Sequence, residues 1–369
     1  MLKSPMPKAP TQMLDEIAKA ARASIRLASG SPAFLTSDQR KYRRSPDRQY
    51  GGSPDPPATP PSHPFFCLAR TLRNAGSLCA IALCVALLPP SANVAVAQLS
   101  VPNADFVVAK PVADMYSQPK ADSDVVSQAI YGAGVLSLEQ HDGWYKIRTA
   151  DDYTGWVATP DLLPLKDRPY APDGKLVEVA GLSANIYREP DVTRHAPLLL
   201  LPWEARLEIA PGAADGSSRW IQVRLVDGST AWVQRGDVSS KFVPLTIDQM
   251  LQLAHRFLGV TYTWGGASSF GFDCSGFTQM LVRQRGIEMP RDAKVQAVWS
   301  GGLPVDRKDL QPGDLLFFGA NAAKITHTGM YLGGGMFIHD TTHDHPGVQI
   351  SRLDDMPWTQ LLVAARRIK

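Results

Sequence analysis

The sequence predicts a multidomain protein: two small all-β barrels followed by an α+β domain. Three observations carry this. Residues 105–240 hold an internal repeat of short alternating runs with turn signals between them. The last third starts with helical patterns and continues with strands, the order of an α+β unit. A chain of 369 residues has room for two or three such domains.

Taken in order, residues 1–64 read as a disordered, basic extension. They hold ten Lys/Arg, five Asp/Glu and eleven prolines, too little apolar surface to offset the entropy of ordering. Residues 65–97 read as a signal peptide. Arg70 and Arg73 flank an apolar run from Leu78 to Leu88, Pro89-Pro90 ends it, and Ala95-Val96-Ala97 offers small residues for cleavage before Gln98. That run is short for a bilayer span, and leucine rather than a small residue precedes Cys79 and Cys84, which argues against a lipid anchor. A leader so far from Met1 suggests that translation starts downstream of it.

The two barrels are expected at 98–166 and 172–243. Trp144–Arg148 matches Trp220–Arg224, and Gly155-Trp156-Val157 matches Ala231-Trp232-Val233, both at an offset of 76. Ala113–Pro119 matches Ala184–Pro190 at an offset of 71, so the modules differ by a five-residue length change. Asp142-Gly143, Asp151-Asp152 and Asp227-Gly228 mark the turns.

The α+β domain is expected at 244–369. Thr246 and Gln249 form a capping box, and Met250, Leu253, Ala254 and Phe257 give its helix an apolar face. A second helix begins at Cys274. Strands follow at Asp314–Phe318, Thr326–Leu332, Met336–Asp340, Val348–Ser351 and Val363–Ile368.

From Gln98 onward there are 26 basic and 30 acidic residues, a net of −4. A mildly acidic body is a poor partner for nucleic acid. Of four cysteines, Cys67, Cys79 and Cys84 belong to the leader region. Cys274 is then alone, which excludes an internal disulfide or a cysteine-based zinc site. A lone cysteine is usually core filler. This one opens a helix between glycines, where unpaired N–H groups and the helix dipole favour thiolate, so a lowered thiol pKa is expected.

Acyl transfer by a thiol needs a base and something to orient it. His327 and His339 lie on two strands joined through Gly333-Gly334-Gly335. An odd number of turn residues puts both rings on one face, with His339 opposite Gly329 and diagonal to His327; a two-residue turn separates them. His327 is then the base and His339 its orienter. His339, Asp340, His343, Asp344 and His345 also form a local cluster of zinc-type ligands, but without an HExxH pattern it reads as a polar loop, and no metal or other cofactor is expected.

The stretches "YTWGGASSFGFDCSGF", "MPRDAKVQA", "LQPGDLLFF", "THTGMYLGGGMFIHD" and "AARRI" resemble the NlpC family of peptidoglycan-cleaving cysteine peptidases. The repeats, each with a late Trp-Val pair, resemble bacterial SH3-like domains. The resemblance implies a papain-like α+β core and a Cys-His-His triad falling on Cys274, His327 and His339. Two SH3-like domains before such a core look like the γ-D-glutamyl-L-diamino-acid endopeptidases, which act on stem peptides with a free N-terminal L-alanine. That branch implies that Asp273 and Ser275 hold the amine, that Tyr262 lines the site, and that the first barrel adds an aromatic, here Tyr153. Asp292 of the "PRD" stretch joins them. Two positions depart: Ala133 stands where an acidic residue is frequent, and Ala293 where Ser is.

The expected function is hydrolysis of the γ-D-glutamyl–diamino acid bond, outside the cytoplasm, with muropeptides as partners and no stable membrane insertion once the leader is removed. A D,D-endopeptidase, an N-acetylmuramoyl-L-alanine amidase and a non-catalytic wall-binding protein are the other readings.

Overall fold

The computed structural model describes residues 101, 103–166, 170–171, 175–212, 218–241 and 243–369. The expected extension and signal peptide lie outside the described residues. Among the described residues, no helix is long and apolar enough to cross a membrane.

The first β body contains β1 (Phe106–Val108), β2 (Val112–Tyr116), β3 (Val125–Ile130), β4 (Gly134–His141), β5 (Trp144–Arg148), β6 (Thr154–Ala158) and β7 (Leu162–Pro164). Their spatial order is β3-β2-β6-β5-β4-β1-β7. Alternation builds the core: Ala113, Met115, Val135, Ile147 and Val157 are wholly buried, while their strand neighbours are not. The β4–β5 hairpin closes on Asp142-Gly143, both at positive φ, as a tight two-residue turn requires.

The second β body repeats this. It contains β8 (Leu176–Val179), β9 (Ser183–Tyr187), β10 (Leu199–Pro202), β11 (Arg206–Ile209), β12 (Trp220–Arg224), β13 (Thr230–Gln234) and β14 (Val238–Ser239). The order β10-β9-β13-β12-β11-β8-β14 is that of the first body, strand for strand. The two meet at Tyr131, whose hydroxyl accepts from Val226 N–H at 3.0 Å and whose ring joins the second core. Gly132 follows at φ +80, with the Arg206 carbonyl where a Cβ would stand, so only glycine fits this crossing.

The remaining unit contains α1 (Ile247–Arg256), β15 (Ala267–Ser268), β16 (Gly271–Phe272), α2 (Cys274–Arg283), α3 (Ala293–Gln296), β17 (Gly302–Pro304), β18 (Leu315–Asn321), β19 (Lys324–Gly333), β20 (Met336–Thr341), β21 (Gly347–Arg352), α4 (Trp358–Leu361) and β22 (Leu362–Ile368). The Thr246/Gln249 capping box forms at the start of α1. Six antiparallel strands run β17-β22-β18-β19-β20-β21. Helix α2 is buried from Cys274 to Val282, with Phe277, Met280 and Leu281 packed against Phe317, Met330 and Ile338. Full burial of a Phe side chain contributes roughly 2–3 kcal/mol, so this contact fixes the helix on the sheet.

The glycine hairpin differs from its expected form. Gly334-Gly335 alone make the turn, at φ +60 and +77, and Gly333 pairs with Met336. A two-residue turn by itself would separate the histidines. A register shift between Tyr331 and Gly333 inserts Leu332 as an extra residue and restores the parity, so Met330 faces Ile338. His339 then lies beside Gly329, where an added Cβ would stand 3.0 Å from the His339 Cβ.

Candidate active site

The site begins with how α2 starts. Asp273 is its N-cap and accepts from the N–H groups of Ser275 (3.1 Å) and Gly276 (2.8 Å). Gly276 has no side chain because the Gly266 carbonyl occupies the place of a Cβ, so the glycine loop lies directly against the first turn. The Asp273 carboxylate also meets a buried fork. Arg291 donates from Nη1 to Oδ1 at 2.9 Å and from Nη2 to Oδ2 at 2.8 Å. Its remaining donors go to Ser275 Oγ (2.9 Å), the Gly266 carbonyl (3.0 Å) and Ser127 Oγ of the first β body (3.2 Å). A planar guanidinium suits this, because five fixed N–H bonds find acceptors in one plane.

Cys274 opens the helix and is 8% exposed. The backbone N–H of Thr328, the residue after His327, faces its sulfur. Burial pushes the thiol up to about 12, and the Asp273 carboxylate adds to this; the Thr328 N–H and Arg291 act the other way. The expected lowered thiol pKa is therefore corrected: loss of water around the sulfur outweighs the helix start. Burial likewise holds His327 down at about 3, against the pull of Asp273. The resting pair is a thiol and a neutral imidazole.

Both histidine rings lie on one face of the sheet, with centroids 5.0 Å apart. His327 Nε2 lies 2.7 Å from His339 Nδ1, and His339 Nε2 lies 3.0 Å from Ser351 Oγ. Two proton orders satisfy this chain. The one in which each ring donates from Nε2 leaves the Nδ1 lone pair of His327 free, as a base needs. Trp358 of α4 walls both rings, at 5.3 Å from His327 and 4.8 Å from His339.

The substrate candidates divide. Asp273 and Ser275 are turned inward, occupied by the helix cap and Arg291. Tyr153 reaches across from the first β body and donates to Asp292 Oδ1 at 3.1 Å. Burial first, then Asp292, pushes the Tyr153 phenol up to about 12, so it is a standing donor. Tyr262 is half-buried, bridges to Phe272 through its backbone, and its phenol is pushed upward by burial and then by Cys274. Among the described residues no three His, Cys, Asp or Glu side chains gather as metal ligands.

Sequence reasoning missed Arg291, Ser351 and Trp358. The "PRD" stretch pointed to Asp292; its neighbour Arg291 is the residue that reaches the Asp273 cap.

The NlpC/P60 family profile matches residues 259–367, and the profile of the bacterial dipeptidyl-peptidase Sh3 domain matches 115–162. A gamma-D-glutamyl-L-lysine dipeptidyl-peptidase of Bacillus subtilis is 38% identical over 259 residues, spanning 67% of this chain and 82% of that protein. One of Bacillus cereus is 30% identical over 256 residues, spanning 65% and 74%. A crystal structure of an NlpC/P60 family protein from Bacillus cereus shares the fold, with a TM-score of 0.62 at 24% identity, over 72% of this chain and 99% of that one. The molecule is thus a multidomain cysteine peptidase, with an SH3 domain ahead of a catalytic fold. It belongs to the NlpC/P60 family.

Proposed function

We propose that this chain hydrolyses the γ-D-glutamyl–diamino acid bond of peptidoglycan stem peptides, with a preference for peptides that carry a free N-terminal L-alanine. The observation that carries it is the His327–His339–Ser351 chain, which starts on the strand whose Thr328 N–H faces the Cys274 sulfur. The peptidase names of the two Bacillus relatives support the choice of bond.

In this reading the Cys274 thiol passes its proton to His327 Nδ1 as the sulfur attacks the γ-carbonyl carbon of D-glutamate. The backbone N–H of Cys274 and the Tyr262 hydroxyl face the oxyanion. The tetrahedral intermediate collapses, the C–N bond breaks, and His327 returns the proton to the departing amine. Water, deprotonated by His327, then attacks the thioester, freeing the γ-carboxylate and the thiol.

Tyr153 and Asp292 are the amine anchor. The half-exposed Asp292 carboxylate supplies charge, and the Tyr153 hydroxyl fixes its orientation. Asp273 and Ser275 act behind them, by holding Arg291 and the helix start. The second β body is a second SH3-like barrel, as its matching strand order supports. In this reading the domain limits are those expected from the sequence, 98–166, 172–243 and 244–369. The enzyme acts outside the cytoplasm, delivered by the leader at 65–97, on wall-derived muropeptides.

Digestion of defined stem peptides, read by mass spectrometry, tests this. Cleavage after γ-D-glutamate, lost in Cys274→Ala and weakened by N-acetylating the substrate's alanine, is the expected result. Cleavage elsewhere in the stem, or full activity in Cys274→Ala, overturns it.

A further inference from the structure

Asp340 is a buried acid that the mechanism above does not use. It follows His339 on β20 and is 0% exposed. Strand alternation puts it on the opposite face from His339, with Ile338, whose side chain joins the core formed by Phe272 and Phe277 of the α2 region. Neither carboxyl oxygen has a hydrogen-bond partner of good geometry, although the backbone N–H groups of Phe272 and Thr341 lie on its side. An unpaired carboxylate in such a place is strongly disfavoured. The titratable groups that feel it are Asp273 on the turn before α2, Cys274 on the helix, and Tyr262 on the preceding loop. Arg291 neutralises Asp273 but is hydrogen-bonded by other acceptors and makes no bond to Asp340. Across β20 its partner on β21 is Val348, which offers no charge.

We propose that Asp340 is a further positioning residue of this site: as a neutral acid it packs under the Phe272–Cys274 turn, and as an anion it weakens Cys274 as a nucleophile. The proposal rests on the reading of Cys274 as the nucleophile. Burial and then Asp273 raise the Asp340 carboxyl to about 8, so the acid form prevails at neutral pH. Above that, a second negative charge appears on the face that carries the α2 start, felt by Asp273 and by a thiol that must become thiolate to react. A like charge within a few ångströms shifts a neighbour by about one pH unit, a roughly tenfold change in thiolate at fixed pH. The fold thus gives the thiol its best chance below the point at which Asp340 ionises.

The test compares the full chain with Asp340→Asn, which copies the neutral acid in shape and cannot ionise. Two readouts are taken across pH: stem-peptide cleavage, normalised to each protein's own maximum, and the rate of Cys274 alkylation by iodoacetamide, read on its tryptic peptide. The two alkylation curves are expected to coincide below about pH 7 and to separate above about pH 8, with the variant faster by about tenfold. The cleavage plateau of the variant extends to higher pH. Parallel curves over the whole range, from two proteins with the same melting profile, overturn the proposal. If Asp340→Asn does not fold, a shift of the wild-type carboxyl signal near pH 8, seen by infrared spectroscopy and absent in Asp340→Leu, supports it; its absence from the wild type overturns it. Cys274→Ala is run alongside: retained cleavage there defeats the nucleophile reading itself, which the pH comparison does not decide.

Discussion

The two β bodies have one strand order and two different attachments. The first is held to the catalytic unit by polar contacts around α2 and the segments beside its start. Ser127 meets Arg291, Tyr153 meets Asp292, Asp151 accepts from Gln279 at 2.9 Å, and Gln128 accepts from Ala267 N–H at 3.0 Å. The second touches the loop before α2 through Ser269, whose Oγ accepts from Trp203 N–H at 2.8 Å, and is otherwise held at the far end of α2 by a buried wedge. Trp203 enters the catalytic core against Phe257 at 5.8 Å, and Glu204, 3% exposed, accepts from Arg283 at 2.9 and 2.6 Å and from Gln284 at 2.6 Å. Repeating a fold therefore did not repeat a role. The body whose loops reach the cap of Cys274 can alter chemistry and substrate choice; the one that grips Arg283 bears on stability.

The largest effect separating these roles is expected from Glu204→Ala. It leaves the Arg283 guanidinium buried without its main counter-charge, and breaking such a pair costs about 3–5 kcal/mol. Urea unfolding measures it. The ratio of cleavage for free-amine and N-acetylated peptides should stay where it was; a changed ratio would mean that the second body also shapes the pocket.

Arg291→Lys comes next. An ammonium keeps the charge but loses the fork that joins Asp273, Ser275, Gly266 and Ser127, and lost charge-assisted hydrogen bonds cost about 1.5–3 kcal/mol. Both stability and kcat should fall, because this one residue ties the first body to the helix start. A loss confined to stability would place the first body in the same structural role as the second.

Acid provides a third contrast. The His327 ring is held at about 3, below its ordinary value of about 6.5. The unfolded chain therefore binds a proton that the folded site refuses. The stability due to this group is complete above about pH 6.5 and is lost as pH falls toward about 3. His339, lowered by burial and then by His327, adds in the same direction. Unfolding free energy followed from pH 7 to 4 should decline, and His327→Gln should flatten that slope. An unchanged slope would show that the acid sensitivity comes from groups other than His327.

Much of this was legible in the chain. The repeat appeared through Trp144/Trp220 and Trp156/Trp232 because a strand pairing needs the same residues each time it is built. Cys274 announced itself through glycines whose reason is local: Gly276 must let a carbonyl touch its Cα. The parity of His327 and His339 was reached by an incorrect turn, since nothing in three consecutive glycines says which one joins the ladder and whether Leu332 bulges. Arg291 stayed hidden because it joins segments far apart in sequence: Ser127 is 164 residues from it. The thiol's acidity was misjudged for a related reason. A helix start is visible in sequence, while the water lost around a sulfur depends on every element packed over it.

The smallest expected effect is the sharpest test of what the first body does. Tyr153→Phe removes one hydroxyl and its 3.1 Å bond to Asp292 but keeps the ring that fills the space. A hydrogen bond to a charged group contributes about 1.5–3 kcal/mol when fully sheltered, and the half-exposure of Asp292 brings this nearer to 1 kcal/mol. Melting should hardly move, because the lost partner leaves a carboxylate that water can reach. The kcat/KM for a free-amine peptide should fall by roughly fivefold to tenfold, an amount set by about 1 kcal/mol, with most of the change in KM. The N-acetylated peptide, which has no ammonium to orient, should lose less. If both substrates fell equally, Tyr153 would be acting on the thiol through Asp292 and Arg291, and the first body would tune the nucleophile as well as recognise the amine.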